Sequence, residues 1–253
     1  MKTRATAMRL YAACGFKPKP SLVHRMVGAD ASELGEFVAQ MENQVGDFRE
    51  HDDIEFERKM FRARSAARLI AWLPFVRAVA VCNSLGFHMT HEASDVDLFI
   101  VATAGRVWSA RWYVTGVLAL LRMRPGEAHR DPVCVSFFVD ERVSNLDDLM
   151  IDRDVYFFYW LRTLMPIVGD HVLFKDAARL APEFRVRAHV SRVREFFAGV
   201  LSENFVRRQQ MRIMPADVLR HEALHNTTVV LSDRIIKLHQ NDRREELSSH
   251  VFT

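Results

Sequence analysis

Apolar residues fall into two rhythms along this chain. From Asp52, the stretch DDIEFERKMFRARSAARLIAWLPF sets Ile54, Met60, Phe61, Ala67 and Ile70 at helical spacing, and Pro74 ends the run. The rhythm then shortens. RAVAVCN (77–83), VDLFIVA (96–102) and VCVSFFVD (133–140) are brief, β-branched and aromatic, which predicts three strands. Between the last two, the pattern predicts a helix from about Val107 to Met123, closed by the turn RPGE. Strand, loop, strand, helix, strand predicts a small mixed sheet with helical cover, an α+β fold.

Beyond Asn145 the pattern predicts an almost wholly helical region. One helix would carry Val190, Val193, Phe196, Phe197, Val200, Leu201 and Phe205 along a face, and Pro215 would open another running from about Asp217 into LSDRIIKLHQ. Before residue 50, a short helix ends near GFKPKP, and Ser32 before Glu33-Leu34 offers the N-cap of a second. The expected division is a small helical module (1–50), a core (51–145) and a helical region (146–253).

Composition narrows the classes without choosing among them. The chain has 253 residues, 49% hydrophobic and 26% charged, ordinary for a globular protein. WYVTGVLALL (Trp112 to Leu121) is its longest apolar stretch and is bounded by arginines, so it predicts a buried helix and no membrane span. Arg9 interrupts the early apolar run, which argues against an export signal. Cys14, Cys82 and Cys134 are too scattered for a disulfide framework; Cys82 and Cys134 read as reduced core residues of a cytoplasmic protein. The basic residues are 29 arginines and six lysines. That surplus of guanidinium permits a nucleotide or nucleic-acid partner, and equally fits solvated helix faces.

The sharper signal is chemical. Asp95 and Asp97 bracket Val96 at the entrance to an apolar strand, and alternation points both carboxylates the same way. Two adjacent ionised acids repel, and a hard divalent cation resolves the conflict, since Mg²⁺ accepts one or two carboxylates and completes its shell with water and phosphate oxygens. A bare D-x-D also fits a strand end whose acids simply face water.

Here a strand ending in Val81-Cys82-Asn83-Ser84 precedes the pair, with the loop LGFHMTHEAS between. A strand, Gly-[Gly/Ser], nine to thirteen residues, then Asp-hydrophobic-[Asp/Glu]-hydrophobic resembles the signature of the polymerase-β-like nucleotidyltransferase superfamily, and SDVDLFIV is similar to its second element. The chain also resembles a group of uncharacterised bacterial proteins carrying that domain, through Pro74-Phe75-Val76, Gly105-Arg106-Val107-Trp108 with Arg111, Cys134 with Phe137-Phe138, and Asn241-Asp242-Arg243-Arg244.

The resemblance implies a polymerase-β-like sheet with helical N-terminal and C-terminal parts. Asp95 and Asp97 would hold Mg²⁺, with Mn²⁺ able to substitute, against an NTP, while Asn83, Ser84 and the turn amides would grip its phosphates. A hydroxyl of a protein side chain, a small molecule or an RNA end would attack the α-phosphorus. Two positions depart from the pattern. Asn83 stands where Gly is usual, and Ser136, in Val135-Ser136-Phe137, stands where the resemblance implies a third carboxylate. Asp140 is too far along the strand to replace it, which leaves His88, His91 or Glu92 to supply a base, or a nucleotide-binding module without turnover.

A rival motif lies at VLRHEALHN. His221-Glu222-x-x-His225 has the spacing of a zinc peptidase helix, with Asp217 on the same face and Glu245 or Glu246 downstream. The same letters fit a helix with two polar histidines beside a glutamate.

Overall fold

The computed structural model describes residues 4–16, 23, 52–175, 192–224, 227–239 and 242–252. Helix α1 (Arg4–Ala13) leads to α2 (Asp53–Ala71), strand β1 (Val76–Val81), a single-turn α3 (Asn83–Gly86) and β2 (Val96–Ala102). Then follow α4 (Val107–Leu120), β3 (Val133–Asp140), α5 (Val155–Thr163) and β4 (Met165–Val168). The remainder holds α6 (Arg192–Ala198), α7 (Glu203–Ile213), α8 (Ala216–Ala223), β5 (Val229–Leu231), β6 (Ile235–Leu238) and α9 (Arg244–Phe252). The strands form one mixed sheet in the order β4-β1-β2-β3-β6-β5, within an α+β fold. Only β2 and β3 run parallel, joined through α4; every other neighbouring pair is antiparallel.

Strand alternation divides the core in two. Leu98, Ile100 and Ala102 of β2 enter a cluster covered by α2 and α4, while Phe99 and Val101 enter another covered by α1, α5 and α9. Asp52 caps α2 by accepting from the Glu55 amide at 2.9 Å, and Met60, Ala63, Ala67 and Ile70 of that helix are buried. Ile54 and Phe61, expected on the same stripe, face water instead. Likewise α4 is amphipathic and not enclosed: Val114 and Leu118 are buried, but Leu120 is 81% exposed. No described helix is long and apolar enough to cross a membrane.

The region after Asn145 is not almost wholly helical, because β4, β5 and β6 all join the sheet. LSDRIIKLHQ does not continue a helix. Ser232 closes a tight turn, its hydroxyl accepting from the amides of Arg234 and Ile235, and the β-branched runs on either side pair as β5 and β6. Pro166 sits in β4, an edge strand, where its missing N–H costs least. The long helix expected around Phe196–Phe205 is two helices. Gly199 follows α6, and Ser202 caps α7 by accepting from the Phe205 amide. Its expected apolar face is not core: Phe196, Phe197 and Val200 are each at least 70% exposed. Val190 and the Ser32-Glu33-Leu34 helix lie outside the described residues.

Long-range caps tie these pieces together. Glu203, first residue of α7, accepts from the Trp108 amide at 2.6 Å and the Ser109 amide at 3.2 Å, satisfying the opening turn of α4. Arg244 is buried where the expected Asn-Asp-Arg-Arg segment closes the fold. It binds Asp242 at 2.7 Å, Asp154 at 2.8 Å, the Leu149 carbonyl and the Thr227 hydroxyl.

Candidate functional site

The loop before β2 is pinned from beneath. Lys59 of α2 is wholly buried, and its ammonium donates to the Ser94 carbonyl at 2.6 Å, the Glu92 carbonyl at 3.3 Å and Asp131 at 2.7 Å. Arg58 holds the other oxygen of Asp131 at 2.8 Å. Ser94 and His91 exchange three further hydrogen bonds, and the Val96 amide donates to the Pro132 carbonyl. Asp95 therefore enters from a constrained loop. Burial raises its carboxyl above the usual range, opposed by the charge of Lys59.

Asp97 shares its face of β2 with Phe99 and Val101. Burial first, then the charge of Asp95, pushes its carboxyl up to about 7, although Asn83 and Cys134 hydrogen-bond to it. Asn83 occupies the left-handed region (φ +52°), which asparagine tolerates. Its amide orientation follows from its partners. The Trp160 indole N–H, a donor only, binds Asn83 Oδ1 at 2.7 Å, so the Asn83 NH₂ turns to Asp97. The turn predicted to grip phosphate is thus bonded to the second acid, and Ser84 follows it directly.

Cys134 stands across from Asp97. Register pairs Asp97 with Cys134 and Phe99 with Phe137, which leaves one extra residue in β3, a bulge. Counting along the strand could not reveal it. The Cys134 thiol, which read as core, is only partly buried and is pushed far up by burial and by the two acids. Ser136 hydrogen-bonds Cys134 and lines a neighbouring cavity.

The other candidates scatter. His88 stacks on Phe56 with centroids 3.6 Å apart and reaches Asp53 at 3.2 Å, so it serves α2. His91 and Glu92 are exposed, and His91 stands on the cavity lining. Asp140 is fully buried at the far end of β3. There Arg142 and the Gly105 and Arg142 amides overcome the penalty of burial and hold it at about 2. In the rival motif, His221 and Glu222 lie on α8, which ends at Ala223, and His225 lies outside the described residues. Glu246 pairs with Arg243 at 2.6 Å. Among the described residues no three His, Cys, Asp or Glu side chains form a metal-holding group.

The two acids fit a single Mg²⁺, which needs no third protein carboxylate when phosphate and water complete its shell. A cation there would offset the charge of Asp95 on Asp97, which is the second cause of its raised carboxyl after burial.

Beside the turn lies a cavity of about 240 Å³. Asn83, Ser84, Ser136 and His91 contribute polar lining, and Phe16, Met89 and Phe137 contribute apolar surface. Trp160 is stacked between Phe137 and Phe157, with centroids 5.3 and 5.2 Å away. Lys237, His239, Asp242, Arg243 and Arg244 also line it. Lys237 pairs across strands with Phe137 and is only 5% exposed. Burial and Arg244 lower its ammonium to about 8 against the pull of Asp242 and Asp154. Sequence reasoning named Asp242, Arg243 and Arg244 only for the resemblance and missed Lys237, although a lone lysine inside the β-branched run IIKL is the kind of signal that could have found it.

No protein-family model matches the chain, and comparison with curated proteins and with solved structures gives no significant match.

Proposed function

We propose that this protein is a Mg²⁺-dependent nucleotidyltransferase of the polymerase-β-like type, moving a nucleoside monophosphate from an NTP to a hydroxyl acceptor. One observation carries the reading: Asp97, beside Asp95, is bonded through Asn83 to the turn that presents Ser84. Asp95 and Asp97 would hold the metal, and Ser84 would donate its hydroxyl to a phosphate oxygen. When bound, Mg²⁺ would cancel the charge of the acids and of the phosphates. Lys59, by fixing the loop at Ser94, keeps Asp95 in place. The acceptor oxygen forms a bond to the α-phosphorus as the bond from that phosphorus to the bridging oxygen breaks, and pyrophosphate leaves with the electron pair. The hydroxyl proton passes to water at the rim, where His91 can relay it. Three free cysteines accord with a reducing, cytoplasmic setting.

Thermal melts with Mg²⁺ and each of ATP, GTP, CTP and UTP test the binding step. At least one nucleotide should raise the midpoint, and Asp95→Asn with Asp97→Asn should abolish the rise; no shift with any nucleotide sinks the reading. A second reading, a nucleotide-binding module without turnover, is favoured by Cys134, since a neutral thiol stands across from Asp97. Nucleotide binding with no pyrophosphate released in the presence of varied acceptors would favour it.

A further inference from the structure

Asp97 stands level with a histidine two strands away. The register matches Phe99 of β2 with Phe137 of β3, and Phe137 with Lys237 of β6. Asp97 lies two residues before Phe99, and His239 lies two residues after Lys237, on a strand that runs the opposite way. Alternation therefore puts both side chains on the face that carries Phe99 and Phe137. His239 keeps to the ladder, since its amide donates to the Thr228 carbonyl at 3.2 Å, one step beyond the Val229–Leu238 pair. Two strand spacings separate Asp97 from His239, roughly 10 Å between α-carbons. That is too far for a direct bond and leaves room for one reacting group between them. His239 also lines the cavity that Ser84 and Ser136 line.

The His239 ring is half-buried, and no described side chain hydrogen-bonds to it. Lys237 on its own strand, Asp242 and Arg244 of α9 act on it electrostatically, and His91, Cys14, Tyr156 and Arg243 line the same cavity. Burial first, then Lys237 and Arg244, lower it below its usual 6.5 against the pull of Asp242. The imidazole is thus neutral near pH 7 and can accept a proton. Cys134, which stands between the two on β3, cannot take that part, because its thiol is pushed far up and stays protonated.

From this placement we infer that His239 is the general base of the proposed transfer. Its ring nitrogen takes the proton of the acceptor hydroxyl as that oxygen bonds to the α-phosphorus, and hands it on to water at the rim. The bond from phosphorus to the bridging oxygen breaks, and pyrophosphate leaves with the electron pair. No third carboxylate is then needed. The assignment rests on the nucleotidyl-transfer reading.

Pyrophosphate release to water, which stands in for the acceptor hydroxyl, reads this step. It is measured at saturating Mg²⁺ with whichever of ATP, GTP, CTP and UTP gives the largest midpoint shift. Saturation matters because metal-free Asp97 titrates at about 7. The wild-type rate should rise from about pH 5 to about pH 6.5 and then level. His239→Gln should slow release about 100-fold and abolish that rise, while keeping the nucleotide-dependent midpoint shift. His239→Gly should be slowed alike and recover at least tenfold with added imidazole. An unchanged rate in His239→Gln, a rise that persists in it, or no recovery with imidazole overturns the assignment. If neither variant folds, the wild type decides alone, and a rate flat or falling over that pH range overturns it. Nucleotide binding without pyrophosphate release removes the base and leaves the binding step standing. No binding by any of the four nucleotides sinks the transfer reading itself, and the base with it.

Discussion

Asp97 bears a charge that its surroundings resist, and in the absence of metal that charge works against the fold. Its folded carboxyl, at about 7, lies above the unfolded value near 3.8, so the native state holds the extra proton between them. Stability from this group is therefore present below that window and is lost as pH rises through 7. Asp97→Asn should stabilise the metal-free protein at pH 8 by ~1–3 kcal/mol, with the gain vanishing at pH 4 in denaturant melts. Added Mg²⁺ should raise the wild-type midpoint and leave the variant unmoved. The acids and the turn were legible in the sequence because two carboxylates at a strand entrance are locally odd. Cys134 and Lys237 were not, because their places depend on a bulge and on a strand pairing that single residues do not announce.

Between elements, the decisive contacts are caps and close approaches. Gly169, just after β4, has φ +67°, and a Cβ there would fall 2.2 Å from the Arg77 carbonyl. Backbone cannot yield as a side-chain tip can, so Gly169→Ala should destabilise by more than ~2 kcal/mol in thermal or urea melts. Glu203→Ala should cost ~1–2 kcal/mol, because it strips α4 of acceptors for its first turn; Ser202→Ala, removing a local cap, should cost less. Strands β1 to β3 and helices α2 and α4 follow the sequence pattern nearly residue for residue. Strands β4, β5 and β6 did not stand out, since each has only three or four residues and owes its form to neighbours. The stripe through Phe196 and Phe197 misled for the opposite reason: helical spacing of apolar residues reports a face, not what covers it.

Across the whole molecule, charges on the two sides of the sheet respond to acid in opposite senses. Burial disfavours ionised Asp131, but Arg58 and Lys59 more than offset it and hold it at about 2, and Asp140 is held at about 2 as well. Their stabilisation is complete above the unfolded value and is lost as pH falls from about 4 to 2, by ~2 kcal/mol each. Combined with Asp97, this predicts that the metal-free protein is most stable near pH 4–6 and that Mg²⁺ moves the optimum toward neutrality. Urea melts from pH 2 to 8 read this directly; a metal-free optimum at pH 8 would contradict it. The two-sided core could be anticipated from alternation in β2, whereas the closing of its second side by α1 and α9 could not.

That closing has a consequence for how the protein is made. Arg9 donates to the Val251 carbonyl across 242 positions of chain, and Tyr11 reaches the Phe87 carbonyl beneath it. At roughly 5–20 residues per second, the first helix waits roughly 12–50 s on the ribosome before its last partner is translated. Until then its apolar side is covered only in part, by α5 and the sheet, so a nascent chain halted short of α9 should be bound by chaperones and cut by protease within α1 more readily than the chain that includes α9.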